Sequence, residues 1–370
     1  MSQTKLLCVL HRSPPAHGAA QVGDFIASSD TLQTKFICKF ITIKSSDTIQ
    51  DIGKINLKKI YLVLELYIKI LWNLLVFRPH KLYFTASIKS VAFYRDVLLS
   101  TLWKCYKLFK PLDIYYHYHT KGVNNFISTA NYKKSLTRFF LNDVNLILLS
   151  PMLEDDFNNV ATYQHTYFLP NGVEDHHTQK SFTNYIQNKD FSSMNILYLS
   201  NMIKSKGYFE VLKLAKTFQN TKMHFHFAGG WQNENDEVEF FNYIQDNHLQ
   251  DNITFHGFVN GTQKQKLFEN SHVFLFPTRY PNEAFPLSVL EAFSYGLPIL
   301  ATDEASIPYI VNKDTGVLIK EFSELEEKLQ YVITTLVNKK SSEICRKRYL
   351  ENFSLKRFEE NLVSLLKENR

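Results

Sequence analysis

The sequence predicts an α/β protein with two domains, each built on a parallel β-sheet. Its 370 residues exceed what one hydrophobic core of ordinary size needs, so two domains are expected. Short β-rich runs alternate with helical stretches, which is typical of βαβ units. Residues 170–173 (PNGV), followed by a polar stretch to Ser193, separate the two halves.

The first half contains five predicted strands and one long predicted helix. The strands are runs of β-branched and aromatic residues at 6–10, 36–43, 81–86, 114–119 and 144–150. Residues 55–76 are apolar on most helical turns and predict a helix. The N-terminal apolar run is too short for a secretory signal, and Glu65 and Lys69 interrupt the run 60–77. We therefore expect no integral membrane segment.

The second half repeats the alternation more clearly. Strands are predicted at 195–201, 223–230, 252–259, 272–278 and 297–303, and helices at 207–219, 238–247, 261–271 and 286–296. Residues 346–370 predict a charged helical tail. Because ligands of parallel sheets bind at the carboxyl ends of strands, the unusual residues found there are the candidates for a site.

Composition and charge restrict the partners. The four cysteines are scattered without a CxxC pair, which disfavours a zinc site or a disulfide framework and fits a reducing compartment. Residues 35–110 hold 14 Lys and Arg against 4 Asp and Glu, although the whole chain carries only +6. This basic region suits anionic lipid headgroups, nucleic acid or a phosphate-bearing acceptor.

The segment EAFPLSVLE places Glu283 and Glu291 before and inside a predicted helix. The two oxygens of a helix carboxylate can accept hydrogen bonds from both hydroxyls of a sugar diol. An acidic residue near a helix N-terminus and a solvated helix Glu would give the same pattern. The spacing alone leaves both interpretations open.

Two further segments follow predicted strands and open helices. In LSNMIKSKGYFEVL, Lys206 precedes Gly207, so Lys206 and free N–H groups can meet a diphosphate. A surface lysine before a glycine turn is the simpler alternative. In HRSPPAHGAAQV, Gly18 permits close backbone approach. That segment lacks the full GxGxxG pattern, which disfavours nicotinamide binding.

The segment DIYYHYH carries two histidines on one face of a predicted strand. His117 and His119 have a spacing that could bind a metal, but no third ligand is evident. For His117 a buried, hydrogen-bonded imidazole is the favoured interpretation. His119, beside the strand end, is better placed to meet a substrate.

In this order the four segments resemble the retaining glycosyltransferases of family 4. EAFPLSVLE is similar to the family's E-x7-E element, residues 260–278 and 296–311 are similar to its flanking segments, and PNGV resembles its interdomain junction. The resemblance covers nearly the whole chain. It implies the GT-B fold, in which two Rossmann-like domains face each other across a cleft and a C-terminal helix crosses back to the first domain. The implied boundaries are 1–175, 190–348 and 349–370.

The resemblance also implies roles for individual residues. Glu291 would bind the donor ribose, Glu283 would lie beside the transferred sugar, Lys206 would hold the diphosphate and His119 would hydrogen-bond the sugar. His119, Glu283 and Lys206 are thus the implied catalytic residues. The other implied donor contacts are the amides of Gly18 and Ala19, Asn201, the base-proximal His256, Gly257 and Phe258, and the loop residues Phe285, Pro286 and Leu287.

Two positions depart from the family pattern. Asn201 stands where the family usually has Arg, so one cationic phosphate contact is missing unless Lys204 or Arg279 supplies it. Asn donates only neutral hydrogen bonds, which are weaker than charge-assisted ones. Pro286 stands where the family usually has Gly, and it removes a backbone N–H. Both changes bear on donor affinity and donor choice.

The implied reaction is sugar transfer with retention, from a nucleotide-diphosphate sugar to a lipid-linked or saccharide acceptor. A UDP-sugar is the first candidate for the donor, and no cofactor is implied. No D-x-D element is present, which agrees with a metal-independent route. The expected setting is a bacterial surface polysaccharide pathway for O-antigen, capsule or lipopolysaccharide.

Two alternatives belong to other classes. A non-hydrolysing nucleotide-sugar epimerase has the same architecture but needs further acid–base carboxylates. A basic nucleic-acid-binding protein would leave the second half unexplained, so we expect no nucleic-acid partner. We expect a cytoplasmic protein whose segments 54–81 and 104–110 rest on the anionic inner face of the membrane. Core packing of the apolar helix is the competing interpretation.

Overall fold

The computed structural model describes residues 3–14, 18–44, 57–158 and 160–368. The chain divides into two compact units, Met1–Asn171 with Leu355–Arg370, and Gly172–Ser354. Each unit has one six-stranded sheet, and all paired strands are parallel. The predicted α/β class with two Rossmann-like domains is therefore confirmed.

The first unit alternates strands and helices. Its strands are β1 (Lys5–His11), β2 (Ile37–Ile43), β3 (Lys81–Ala86), β4 (Asp113–Tyr118), β5 (Asn145–Leu148) and β6 (Thr166–Phe168). Its helices are α1 (Gly18–Ser28), α2 (Asp30–Lys35), α3 (Leu57–Val76), α4 (Ser90–Lys107), α5 (Val123–Ser128), α6 (Asn131–Leu141) and, from the chain end, α15 (Leu355–Lys367). A 3-10 segment, Pro151–Phe157, follows β5.

The core of the first unit lies on both faces of its sheet. Trp103 and Phe140 pack with strand residues on one face, and Val22 of α1 and Phe358 of α15 pack on the other. Because both faces are covered, β3 is buried along its whole length, which is why it reads as a continuous apolar run. The final helix therefore belongs to the first unit.

The second unit repeats this construction. Its strands are β7 (Met194–Leu199), β8 (Met223–Ala228), β9 (Ile253–Phe255), β10 (Val273–Phe276), β11 (Ile299–Thr302) and β12 (Gly316–Ile319). Its helices are α7 (Gln179–Asn188), α8 (Tyr208–Thr217), α9 (Glu234–Asp246), α10 (Gly261–Asn270), α11 (Leu287–Ser294), α12 (Ile307–Ile310), α13 (Leu325–Leu336) and α14 (Lys339–Asn352). Short 3-10 segments lie at Lys204–Lys206 and Phe322–Glu324.

The strand orders place one topological switch point in each sheet. The order is β2-β1-β3-β4-β5-β6 in the first unit and β12-β11-β10-β7-β8-β9 in the second. The chain reverses direction across the sheet between β1 and β3, and between β7 and β10. Crevices for ligands form at the carboxyl ends of such strand pairs. The loops that follow β1, β7 and β10 are therefore the expected places for a ligand.

Two sequence predictions need correction. The predicted tail 346–370 is two helices, because the Val173 N–H donates to the carbonyl of buried Phe353 at 3.0 Å and the chain leaves the helix there. The strand predicted at 252–259 ends at Phe255, because Gly257 has a φ of +66°. The short strands β6 and β12 were not predicted. In addition, residues 55 and 56 of the predicted helix lie outside the described residues.

Candidate active site

Lys206 and Glu283 meet at the switch point of the second unit. Lys206 follows β7 in the 3-10 segment, and Glu283 lies in the loop between β10 and α11. Lys206 Nζ lies 3.3 Å from Glu283 Oε2, and the two side chains are 16% and 10% exposed. The ammonium also stands over the Tyr280 ring, 5.1 Å from its centroid. A mostly buried pair of opposite charges thus occupies the position where the sheet can accept a ligand.

Backbone contacts fix the loop that carries Lys206. Gly207 has a φ of +86°, and a Cβ there would lie 2.2 Å from the Pro277 carbonyl oxygen. The Arg279 N–H donates to the Ser205 carbonyl at 2.7 Å. The loops after β7 and β10 are therefore held together by their main chains. The Lys-Gly pair is explained by this close approach, since a side chain at position 207 would separate the loops.

Glu291 is paired with a lysine that the sequence analysis missed. Lys264 Nζ of α10 donates to Glu291 Oε1 of α11 at 2.6 Å, and the side chains are 26% and 16% exposed. Lys264 lies in the motif GTQKQK, where nothing local distinguishes it from Lys266. The two carboxylates of EAFPLSVLE are thus each neutralised by a lysine from another element.

Both cations suggested as substitutes for the absent Arg are paired with acidic side chains. Asn201 is exposed after β7. Lys204 Nζ lies 2.6 Å from Glu239 and 3.6 Å from Asp236. Arg279 is held by Glu304 at 3.0 Å and by the Lys320 carbonyl. Both cations therefore pair with acidic residues outside the predicted site. Lys206 differs from them, because its partner Glu283 is itself a predicted site residue.

The loop before α11 combines a buried ring with helix N–H groups. Phe285 is buried between Tyr309 and Phe353, so its ring supports the loop. Pro286 is the N-cap of α11, and Leu287 begins the helix. The N–H groups of a first helical turn have no intrahelical partner, and they carry partial positive charge. We therefore expect this loop to contact a ligand through its main-chain N–H groups.

His256 is hydrogen-bonded to a second histidine, His226, at the carboxyl ends of β8 and β9. Their facing nitrogens, His226 Nδ1 and His256 Nε2, lie 3.1 Å apart. Gly257 accepts from the Gly229 N–H at 2.8 Å, and Phe258 is 67% exposed. Burial, together with the smaller effect of nearby histidines, lowers the pKa of His226 to about 4, and burial also lowers the pKa of His256. Both rings are therefore uncharged near neutral pH.

The His226 shift predicts an acid-sensitive fold. Between about pH 6.5 and pH 4, His226 binds a proton in the unfolded chain but stays uncharged in the folded chain. The free energy of unfolding therefore falls as pH falls. The effect is at most about 3 kcal/mol, and solvent screening of the partly exposed ring reduces it. Urea unfolding of His226→Gln across this range should show a shallower pH slope than wild type. His165→Gln, at an exposed site, should leave the slope unchanged, and equal slopes in all three proteins would contradict the prediction.

In the first unit, Gly18 and Ala19 form the first turn of α1. No atom lies within 4 Å of a Cβ built on Gly18, so the main chain is open to approach. Residues 15–17 of the predicted motif lie outside the described residues. Gly23, which the sequence analysis did not single out, sets the position of this helix, because a Cβ there would lie 1.8 Å from the His11 carbonyl oxygen. Its signal was the second glycine in GAAQVG.

His119 follows β4, and its ring centroid lies 4.1 Å from that of His117. His117 is completely buried and shares a hydrogen bond with the Tyr83 hydroxyl, which confirms the interpretation of His117 as a buried, hydrogen-bonded residue. Throughout the described ranges, no three His, Cys, Asp or Glu side chains are grouped to hold a metal ion. The metal interpretation of the histidine pair thus gains no third ligand from the fold.

Residues 184–349 match the family model of group 1 glycosyl transferases. The matched segment lies within the second unit and contains Lys206, Glu283 and Glu291. An uncharacterized 41.2 kDa protein in the cps region of Klebsiella pneumoniae is 30% identical over 128 residues, 34% of this chain and 32% of that protein. The match thus spans about a third of the length of that relative.

Two solved structures share the architecture over their whole length. A glycosyltransferase from Rickettsia africae has a TM-score of 0.75 at 15% identity, covering 100% of both chains. Alr3699/HepE from Anabaena, in complex with UDP, has a TM-score of 0.71 at 14% identity, covering 98% of this chain and 99% of that one. The chain therefore has the GT-B fold.

Proposed function

We propose that the chain is a retaining glycosyltransferase of family 4 that transfers a hexose from a nucleotide-diphosphate sugar to an acceptor. The contact between Lys206 and Glu283 at the switch point of the second unit carries this proposal. The family match over 184–349 supports it, since both residues lie in that segment. A UDP-sugar is the first candidate for the donor, because a solved structure with the same fold was determined with UDP.

The proposed chemistry is front-face substitution at the anomeric carbon. The bond from that carbon to the phosphate oxygen breaks, and the acceptor oxygen bonds to the same face. The acceptor proton passes to the departing phosphate oxygen. Lys206 and the N–H groups that begin α11 stabilise the negative charge that develops on the leaving group, so the route needs no metal. A trapped covalent glycosyl-enzyme would contradict this route.

The second unit would bind the nucleotide through Glu291 and the segment after β9. Glu291 would accept hydrogen bonds from the ribose hydroxyls, and Lys264 would keep the carboxylate from repelling the diphosphate. The exposed ring of Phe258 and the main chain of His256 and Gly257 would lie near the base. Asn201 would offer a neutral contact to phosphate, and Phe285, Pro286 and Leu287 would line the sugar.

UDP binding tests the proposed nucleotide site. Glu291→Gln keeps the shape of the side chain but weakens its acceptance from a diol, so UDP affinity should fall about 10-fold. Titration calorimetry of wild type with UDP, GDP and ADP identifies the base, and Glu326→Gln, on the exposed surface of α13, is the control. Equal UDP affinity in both variants would show that Glu291 does not bind the nucleotide. If wild type binds no nucleotide, the proposed function is contradicted.

The first unit would supply Gly18, Ala19 and His119 to the reaction. The amides of Gly18 and Ala19, at the positive end of α1, suit a diphosphate. His119 would hydrogen-bond the transferred sugar. The acceptor would be lipid-linked or a saccharide in bacterial surface polysaccharide synthesis, on the cytoplasmic side of the membrane. The relative encoded in a cps region supports that setting.

The membrane proposal rests on the outer face of α3. None of the described helices combines the length and apolarity needed to cross a bilayer. One face of α3 packs in the core. The other face nevertheless exposes eight large apolar side chains: Ile60, Tyr61, Leu64, Ile68, Leu71, Trp72, Leu75 and Val76. Core packing and membrane contact, the two interpretations offered for this helix, do not exclude each other, because α3 packs in the core with one face and leaves the other face exposed. Residues 45–56 of the basic region lie outside the described residues.

Basic and apolar groups are also exposed at the end of α4. Leu108 and Phe109 are 79% and 84% exposed. Leu108 also lines a cavity of about 920 Å³ with Lys104, Lys107 and Arg138. Burial, with a smaller contribution from the charge of Lys107, lowers the pKa of Lys104 to about 8 although Asp143 opposes the shift. An anionic headgroup near these cations would offset their repulsion, and each cation contributes about 1 kcal/mol at an anionic surface.

Membrane binding is expected to depend on the exposed face of α3. Wild type should co-sediment with vesicles that contain phosphatidylglycerol at low salt, and Trp72→Glu should reduce the bound fraction several-fold because it places a charge among the apolar side chains. Tyr331→Glu, at an exposed apolar position of α13 in the second unit, should bind like wild type. Vesicle binding that is absent in wild type, or equal in both variants, would contradict the proposal.

A further inference from the structure

Tyr83 and His117 are fully buried on the neighbouring strands β3 and β4. The Tyr83 hydroxyl forms a hydrogen bond with His117 Nδ1. Among the described residues, His117 Nε2 has no hydrogen-bond partner although it is buried. The ring of His117 is tilted by 48° against that of His119, with centroids 4.1 Å apart. A tyrosine and two histidines therefore follow one another toward the carboxyl edge of the sheet.

The burial of the pair determines which atoms carry protons. Burial lowers the pKa of His117 well below its usual value, and the neighbouring His119 lowers it further, so His117 is uncharged. Burial raises the pKa of Tyr83, so its hydroxyl keeps its proton. A neutral imidazole carries one N–H. When the hydroxyl donates to His117 Nδ1, that N–H is at Nε2.

A buried N–H without a partner is costly, and an apolar side chain at this position would avoid the cost. The same face of the sheet is otherwise filled by an apolar cluster that includes Leu10, Ile147 and Leu169. The neighbouring Cys8 also raises the pKa of Tyr83, and burial raises the pKa of the Cys8 thiol itself. Core packing alone therefore does not account for an imidazole at position 117.

We propose that Tyr83 and His117 form a buried support that fixes the ring orientation of His119. The Tyr83 hydroxyl holds the His117 ring through its Nδ1, and the His117 ring packs against the ring of His119. His117 is thus a positioning residue, and His119 is the group that meets the sugar. The inference rests on the proposed function for the role of His119, but the support itself is a property of the unliganded protein.

Matched tyrosine variants test this support. Tyr83→Phe removes the hydroxyl from His117, whereas Tyr116→Phe removes an equally buried hydroxyl that accepts from Trp103 Nε1 at 2.8 Å on the other face of the sheet. Both variants should lose similar thermal stability. Only Tyr83→Phe should change the side-chain ¹⁵N shifts of His119 and lower kcat about 10-fold with little change in donor KM. Unchanged His119 shifts in Tyr83→Phe would overturn the proposal.

Two His117 variants separate positioning from packing. His117→Gln keeps an N–H group in the side chain and should retain most of kcat, whereas His117→Leu fills the space without a donor and should resemble Tyr83→Phe. Equal kcat in the two folded variants would overturn the proposal. If wild type transfers no sugar from any donor, the proposed function fails, but the ¹⁵N spectra of the tyrosine variants still decide whether the support exists.

Discussion

Lys206→Met should lower kcat for sugar transfer about 10²–10³-fold, which is the range for losing one preorganised group that stabilises developing charge. The substitution keeps the length of the side chain and removes the ammonium that lies 3.3 Å from Glu283. Negative charge grows on the leaving diphosphate in the transition state, so the loss should appear mainly in kcat. Steady-state transfer assays with the donor identified by calorimetry give the comparison.

The stability of the fold needs a separate control, because Lys206→Met leaves a buried carboxylate without its cation. Breaking such a pair costs about 3–5 kcal/mol. The double variant Lys206→Met/Glu283→Gln removes both charges, so it should recover stability without recovering transfer. Lys204→Met, in the same 3-10 segment but bound to Glu239, should transfer at nearly the wild-type rate. Wild-type kcat in Lys206→Met would contradict the proposed role of Lys206.

Gly23→Ala should be the most destabilising small substitution in the first unit. Its Cβ would lie 1.8 Å from the His11 carbonyl oxygen, so α1 would have to move away from the end of β1. The higher helix propensity of alanine, about 1 kcal/mol, cannot offset an overlap with the main chain. We expect a loss of about 3 kcal/mol or more and a Tm lower by about 6–12 °C in calorimetry.

Gly18→Ala is the matched control on the same helix. No atom lies within 4 Å of the added Cβ, so its Tm should stay close to that of wild type. Donor affinity is a second measurement on this variant, because a methyl group at the first turn of α1 would obstruct a diphosphate that approaches the amides of Gly18 and Ala19. Equal melting of the Gly23 and Gly18 variants would show that α1 does not lie against the end of β1.

Most of the architecture could be predicted because its signals are local. Runs such as KLYFTA and VNLILLS are buried on both faces of a parallel sheet, and their β-branched and aromatic content is visible without a partner strand. The ends of elements were less certain. Gly257 shortens β9 through a positive φ, and the pairing of Val173 with the segment after α14 divides the predicted tail, because both depend on contacts beyond the local sequence.

The candidate site shows the same division. Glu283 and Lys206 could be singled out because each stands at a predicted strand-to-helix transition. Lys264 could not, since the hydrogen bond from Lys264 to Glu291 joins residues 27 positions apart on two helices. The partner of His117 was equally hidden, because Tyr83 lies 34 residues away on the neighbouring strand. Periodicity reports which face of an element is buried, but it does not report which element covers that face.

The amino-acid sequence by itself determined the α/β class, the division into two halves and the placement of Lys206, Glu283 and His119 in segments that follow strands, since these follow from backbone periodicity and turn chemistry. The tertiary structure decided which charges neutralise one another, which imidazole supports which, and which glycines admit a neighbouring main chain. Those outcomes depend on strand order and helix packing, which bring together side chains that no local pattern connects.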